Sequence, residues 1–340
     1  MLGACSRRQT LQFLLASAVA TGCGSAAGGS GSAGGGSGRK TIRLAVQEQN
    51  FATIPLTLSQ DLGFMRQEGT EVAVTIGRST SAMTAGLMGG SFDLQIGGSE
   101  LVVARQQGAP LIAIDGMCNS PIWSVVTKPG ITGLGQLRGR TIATSGPSTV
   151  STVALVATLK RQGLSPDSYR QITAGGTAER FTAVRNGQAD ATVVTSPLEF
   201  QATAQGLRNL GSLYDDMPHF VSGFVVTTKP FASQHDAALV AFSRGWLRTL
   251  RWMHDPANKQ ELVQRVSKIL KTPQPVIQQA YGYWLTGKRA QGLFPADGRI
   301  DRTALDGAIK AFVDHGAMDK GTSVDGFVVD TYLDRATESL

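Results

Sequence analysis

The segment Gly90-Ser91-Phe92-Asp93-Leu94-Gln95-Ile96-Gly97-Gly98-Ser99 has a counterpart in Gly187-Gln188-Ala189-Asp190-Ala191-Thr192-Val193-Val194-Thr195-Ser196, with glycine, aspartate and serine at identical offsets. In each, the pattern predicts a helix ending at the glycine, a short strand opened by the aspartate, and a serine at the strand's carboxyl end. In open α/β sheets that edge is where ligands bind. A second pair, Val125-Val126-Thr127-Lys128-Pro129 and Val225-Val226-Thr227-Thr228-Lys229-Pro230, repeats a strand-like phrase stopped by proline. Together the pairs predict a duplicated architecture, with the second pair serving as two hinge segments between lobes.

Upstream, Thr41-Ile42-Arg43-Leu44-Ala45-Val46 reads as a first strand, and strand-like runs recur at 71–76, 93–96, 111–114 and 141–144. Helical patterns separate several of them, which predicts an α/β chain with two mainly parallel sheets. The implied boundaries are 40–127 and 225–340 for lobe 1 and 128–224 for lobe 2. A chain of 340 residues is long enough for two such cores. Downstream, apolar residues at helical spacing predict helices at 236–253, 259–270, 275–285 and 303–312. Their Trp246, Trp252 and Trp284 are assigned to core packing.

The N-terminal region reads as targeting sequence. A mostly apolar run at 11–20 follows Arg7-Arg8; it is too short to span a bilayer but suits a signal-peptide core. Ala20-Thr21-Gly22-Cys23 comes next and is similar to the lipobox at which bacterial lipoprotein signals are cleaved and the cysteine acylated. The expectation is a signal peptide over 1–22 with Cys23 as the lipidated mature N-terminus. A tether over 23–39 follows, since 24–38 contain only Gly, Ser and Ala. Such a stretch cannot bury a core, and as a coil it spans roughly 20 Å. Ser6-Arg7-Arg8-Gln9-Thr10-Leu11-Gln12 is similar to a twin-arginine signal without its phenylalanine and lysine, so the export route stays open.

Composition narrows the function classes. Hydrophobic residues at 41% and charged residues at 17% fit a globular protein, and the net charge of +7 is spread along the chain, which argues against nucleic acid as a partner. No two of Cys5, Cys23 and Cys118 stand at the spacing of a zinc or redox pair, so Cys118 is expected as a free thiol. The four histidines, His219, His235, His254 and His315, form no His-Glu-x-x-His, and Gly-x-Ser-x-Gly is absent. Gly282-Tyr283-Trp284-Leu285-Thr286-Gly287-Lys288-Arg289 fails as a P-loop because Arg289 stands where Ser or Thr is required. Catalysis, cofactors and metal are therefore not expected.

Gly86-Leu87-Met88-Gly89-Gly90-Ser91-Phe92-Asp93, Gly108-Ala109-Pro110-Leu111, Leu137-Arg138-Gly139-Arg140-Thr141-Ile142-Ala143 and Asn186-Gly187-Gln188-Ala189-Asp190-Ala191 stand in a telling order and spacing. In these phrases residues 40–335 resemble the nitrate/sulfonate/taurine-type substrate-binding proteins of ABC transporters. The resemblance implies a bilobed type II periplasmic-binding-protein fold, joined by two hinge segments, that closes around a small-molecule ligand. It implies an ABC permease and its ATPase as partners, and a membrane held through lipid on Cys23. A small organic anion is the preferred ligand. The same fold also occurs in enzymes acting on menaquinone or thiamine precursors, and a ligand-sensing lobe for a membrane signalling partner is a third class.

Candidate ligand residues come from hydroxyl-rich turns at strand ends and helix starts, where unpaired N–H groups favour anions. In lobe 1 these are Gln49, Asn50, Ser79, Thr80 and Ser99. In lobe 2 they are Ser145, Ser148, Thr149, Thr177, Thr195 and Ser196. Arg78 is the cation among these turns. Serine and threonine at such places also serve as N-caps, a role compatible with binding.

Overall fold

The computed structural model describes residues 40–340 apart from 78 and 339. The expected signal peptide at 1–22, Cys23, the tether at 23–39 and Arg78 lie outside the described residues.

Four strands open the first sheet: β1 Lys40–Val46, β2 Thr70–Ile76, β3 Leu94–Gly97 and β4 Leu111–Cys118. The chain then supplies a second sheet from β5 Trp123–Thr127, β6 Thr141–Thr144, β7 Arg170–Thr173, β8 Ala191–Thr195 and β9 Arg208–Ser212, and returns to the first with β10 Gly223–Thr228. The strand orders are β2-β1-β3-β10-β4 and β7-β6-β8-β5-β9. The two sheets are built alike. In each, the first two pairings are parallel and the last two antiparallel. The sheets are therefore mixed but mainly parallel, as expected: four strands of each run the same way, and the fifth, β10 or β5, follows a crossing segment and runs against both neighbours.

The repeated aspartates do the same job in both sheets. Asp93 Oδ2 accepts from the Arg43 N–H at 2.8 Å, and the Asp93 N–H returns a 2.8 Å bond to Arg43 O. Asp190 Oδ2 accepts from the Thr141 N–H at 2.9 Å, and its own N–H reaches Thr141 O at 2.7 Å. Each carboxylate thereby fixes the register of a parallel neighbour just before its strand begins. Gly90 and Gly187, three residues earlier, have φ of 74° and 79°, the left-handed geometry that lets a helix stop and the chain turn into the strand.

The expected hinges fall elsewhere. Both Val-Val-Thr phrases lie inside strands, β5 and β10, and the chain changes sheet at 119–122 and 213–222. Ser222 ties these crossings together, its N–H donating to Cys118 O at 2.9 Å and its hydroxyl to Ser120 O at 2.6 Å. A strand stopped by proline looks the same in sequence whether it ends within a lobe or leaves it. With β5 in the second sheet, the lobe boundary drawn at residue 127 comes after the first crossing.

The C-terminal helices Asp236–His254, Lys259–Leu270, Gln274–Trp284 and Arg302–His315 match expectation closely. Trp246 and Trp284 are buried, whereas Trp252 is only partly so. The Trp246 indole N–H donates to Gly116 O at 3.1 Å, so its one polar group is satisfied inside the core. Among the described residues, no helix is long and apolar enough to cross a membrane.

Candidate functional site

A cavity of about 720 Å³, counting its open mouth, lies where the carboxyl ends of the two sheets face each other. From the first sheet its wall takes Gln47, Glu48 and Asn50 after β1, the end of β3 with Gly98 and Glu100, and Thr80. From the second it takes Ser145 and Thr149 after β6, Thr177 and Arg180 on the helix Thr177–Arg185, and Thr195 at the end of β8. Ile96, Met117, Ile122 and Trp123 make the apolar part of the wall.

Six of the sequence-derived candidates thus come together: Asn50, Thr80, Ser145, Thr149, Thr177 and Thr195. The other five lie outside the wall. Gln49 is exposed and reaches Thr57 at 3.4 Å, and Ser148 is exposed. Ser79 caps the helix Thr80–Met88 by accepting from the Ala82 N–H at 3.2 Å. Ser99 and Ser196 are buried behind the cavity. Ser196 nevertheless links the lobes, its carbonyl accepting from the Phe51 N–H at 3.1 Å.

Several candidates are engaged with their own chain. Asn50 Oδ1 accepts from the N–H groups of Ala52 and Thr53, and Thr53 Oγ1 accepts from the Asn50 N–H, a reciprocal cap on the short helix Phe51–Thr53. The Ser145 hydroxyl stands 2.5 Å from that of Thr149 and 2.8 Å from that of Ser151. Thr195 differs: its hydroxyl is buried on the wall and has no hydrogen-bond partner among the described residues.

The charged wall residues were not anticipated. Glu48 reaches across the cavity to the other lobe: Oε1 accepts from the Thr177 hydroxyl at 2.7 Å, and Oε2 from the Thr177 N–H at 3.3 Å. Its own-lobe neighbour Asn50 donates Nδ2 to Oε1 at 2.7 Å. Glu48 thereby places a carboxylate at the positive end of the helix Thr177–Arg185. Arg180 lies buried one turn along, its guanidinium donating to Val193 O, Gly175 O and Thr177 Oγ1. Burial lowers its pKa, and the charges of Glu48 and Glu179 oppose that.

Glu100 folds back over the glycines that end β3. Its Oε1 accepts from the Gly98 N–H at 3.1 Å, while its Oε2 is buried with no partner among the described residues. Burial raises its pKa, and the backbone N–H bonds only partly offset this. Signals for these residues were present in the sequence. Glu48 and Glu100 each adjoin a candidate, and Arg180 lies one turn beyond Thr177. Beside hydroxyls and amides, Arg78 was the one charged residue of those turns singled out, and nothing else in the sequence separates the three from solvated charges.

Against known proteins, a 140-residue stretch is 26% identical to the 4-amino-5-hydroxymethyl-2-methylpyrimidine phosphate synthase of Schizosaccharomyces pombe. That stretch is 40% of this chain and 39% of the enzyme, so this chain spans well under two thirds of that relative's length. The fold superimposes on the periplasmic nitrate-binding protein NrtA of Synechocystis PCC 6803 with a TM-score of 0.74 at 14% identity, covering 88% of this chain and 89% of that one. It also matches a ligand-binding component of an ABC-type import system from Staphylococcus aureus, with a TM-score of 0.70 at 15% identity, covering 87% and 99%. Residues 50–259, more than half of the sequence, fit the model of the NMT1/THI5-like family, and the chain belongs to that family.

Proposed function

We propose that this protein is the solute-binding component of an ABC importer, capturing a small molecule between its lobes and handing it to a permease and its ATPase. The observation that carries the reading is the cavity itself, assembled from the carboxyl strand ends of two like-built sheets and already spanned by the Glu48–Thr177 bond. The crossings at 119–122 and 213–222 are where the lobes pivot, and ligand contacts on both walls favour the closed form that the permease reads. Asn50, Thr80, Ser145, Thr149, Thr177 and Thr195 are the binding residues. The N-terminal sequence supports an exported protein held at the membrane through Cys23. The anion expected from the hydroxyl-rich turns finds some support in the nitrate-binding neighbour. At Thr177, however, it meets a carboxylate that the protein itself supplies.

A thermal-shift screen of the full-length protein against nitrate, sulfonates, aromatic carboxylates and pyrimidines tests the reading. A bound ligand at a hundred times its Kd stabilises the native state by about 2.7 kcal/mol. The expected result is a dose-dependent rise in melting temperature with the compound recovered unchanged. A second reading, an enzyme acting on a pyrimidine, rests on the fission-yeast relative. Chemical conversion of a compound in the screen would establish it instead.

A further inference from the structure

The charged residues on the cavity wall, among those described, are Glu48, Glu100 and Arg180. Two of them satisfy each other's surroundings. Glu48 is held by Thr177 and Asn50 beside Arg180, and the Arg180 guanidinium is committed to Val193 O, Gly175 O and Thr177 Oγ1. The helix end that would draw an anion is thus occupied from within, and the arginine fork has its acceptors. Glu100 is left over, with one buried oxygen that, among the described residues, has no hydrogen-bond partner. An anion in this space would sit beside the Glu48 carboxylate and could meet Glu100 only with its carboxyl kept protonated.

We propose that the ligand of this cavity carries a cationic N–H donor, an ammonium or amidinium, which pairs with Glu100. This rests on the binding-protein reading above and names its substrate class. The unpartnered Thr195 hydroxyl adds a second polar contact, and Ile96, Met117, Ile122 and Trp123 accommodate an apolar body. A bound cation stabilises the carboxylate that burial otherwise disfavours.

The test uses three molecules of one shape: benzamidine, benzamide and benzoate, titrated by calorimetry into the full-length protein and its Glu100→Gln variant. The wild type is expected to bind benzamidine roughly tenfold or more tightly than either isostere, the scale of a charge-assisted hydrogen bond. Glu100→Gln is expected to lose that preference, and Glu100→Met, which needs no polar partner, serves if the amide variant misfolds. If benzoate binds as well as benzamidine, if none of the three binds measurably, or if the ranking survives both variants, the proposal is overturned. Mass spectrometry of the recovered probes reads the parent hypothesis separately: a converted probe refutes the binding-protein reading, whatever the ranking.

Discussion

The Glu48 carboxylate, just past the end of β1, lies 2.7 Å from the Thr177 hydroxyl that opens a helix on the opposite lobe. The bond joins the two walls of the cavity side chain to side chain, beside the longer bond from the Thr177 N–H at 3.3 Å. Its loss should therefore affect how the lobes sit before it affects either sheet. Thr177→Val removes the donor with little change of shape. A cost of about 1.5 to 3 kcal/mol in unfolding free energy is expected, as for a hydrogen bond to a charged group. A larger radius of gyration in small-angle scattering should accompany it. An unchanged radius would show that the closed arrangement stands without this bond.

Asp93 and Asp190 provide a second test, because they perform one task in two places. Asp93→Ala and Asp190→Ala each remove a carboxylate that pairs with a strand N–H at 2.8 and 2.9 Å. Each should lower stability by about 1 to 3 kcal/mol in chemical denaturation. As they act in different sheets, the double variant should show the sum within about 0.5 kcal/mol. Marked non-additivity would mean that the two sheets do not respond independently.

Gly98 leaves little room for a side chain. A methyl group there would stand 3.0 Å from Glu100 Oε2, Ser222 O and Val150 Cγ2, and Val150 begins a helix of the other lobe. Gly98→Ala is expected to weaken ligand binding at least tenfold while shifting the melting temperature by only a few degrees. A full loss of fold, or undiminished binding, would contradict the close approach of the lobes at this point.

Two buried carboxyls predict a pH dependence. Burial raises Asp115 to about 7 despite its bond from the Ser243 hydroxyl, and Asp330 adds to the rise. Burial also raises Glu199 to about 7, against the indole N–H of Trp284 at 2.8 Å and nearby Ser196. Unfolded carboxyls titrate near 4, so each group adds stability that is fully present below that value and is lost as pH rises through about 7. The loss is on the order of 4 kcal/mol per group. Melting temperature should fall between pH 4 and 7 on this account, and Asp115→Asn with Glu199→Gln should flatten the curve. A slope unchanged in the double variant would assign the dependence to other groups.

Cys118 is buried at the end of β4, and burial raises its thiol well above the ordinary range. In the native protein it should resist alkylation by iodoacetamide, with a labelling rate that tracks unfolding. Rapid labelling in buffer would show that the crossing beside it opens.

Much of the fold was legible because the aspartate repeats mark local events. A helix stop, a strand start and a fixed offset all lie within ten residues. The helices at 236–254 and 302–315 were legible for the same reason, since amphipathic spacing is a local property. The direction of β5 and β10 and the site of the crossings were not, because Val-Val-Thr followed by proline marks the end of a strand and says nothing of which sheet holds it. In the cavity, hydroxyls at strand ends were found, while Glu48, Glu100 and Arg180 were missed. Charged residues usually face water, and only the folded chain shows these three turned to the cavity wall.

The insertion of β10 between β3 and β4 also bears on the order in which the chain can become structured. β4 pairs with the rest of its sheet only through β10, which arrives more than a hundred residues later in synthesis. The first stretch of lobe 1 therefore waits, with β4 unmatched, until the whole second lobe has emerged. Contacts so far apart in sequence slow the search for the native state. A nascent chain arrested before Gly223 should remain open to proteases across β4, and one extended beyond Thr228 should not.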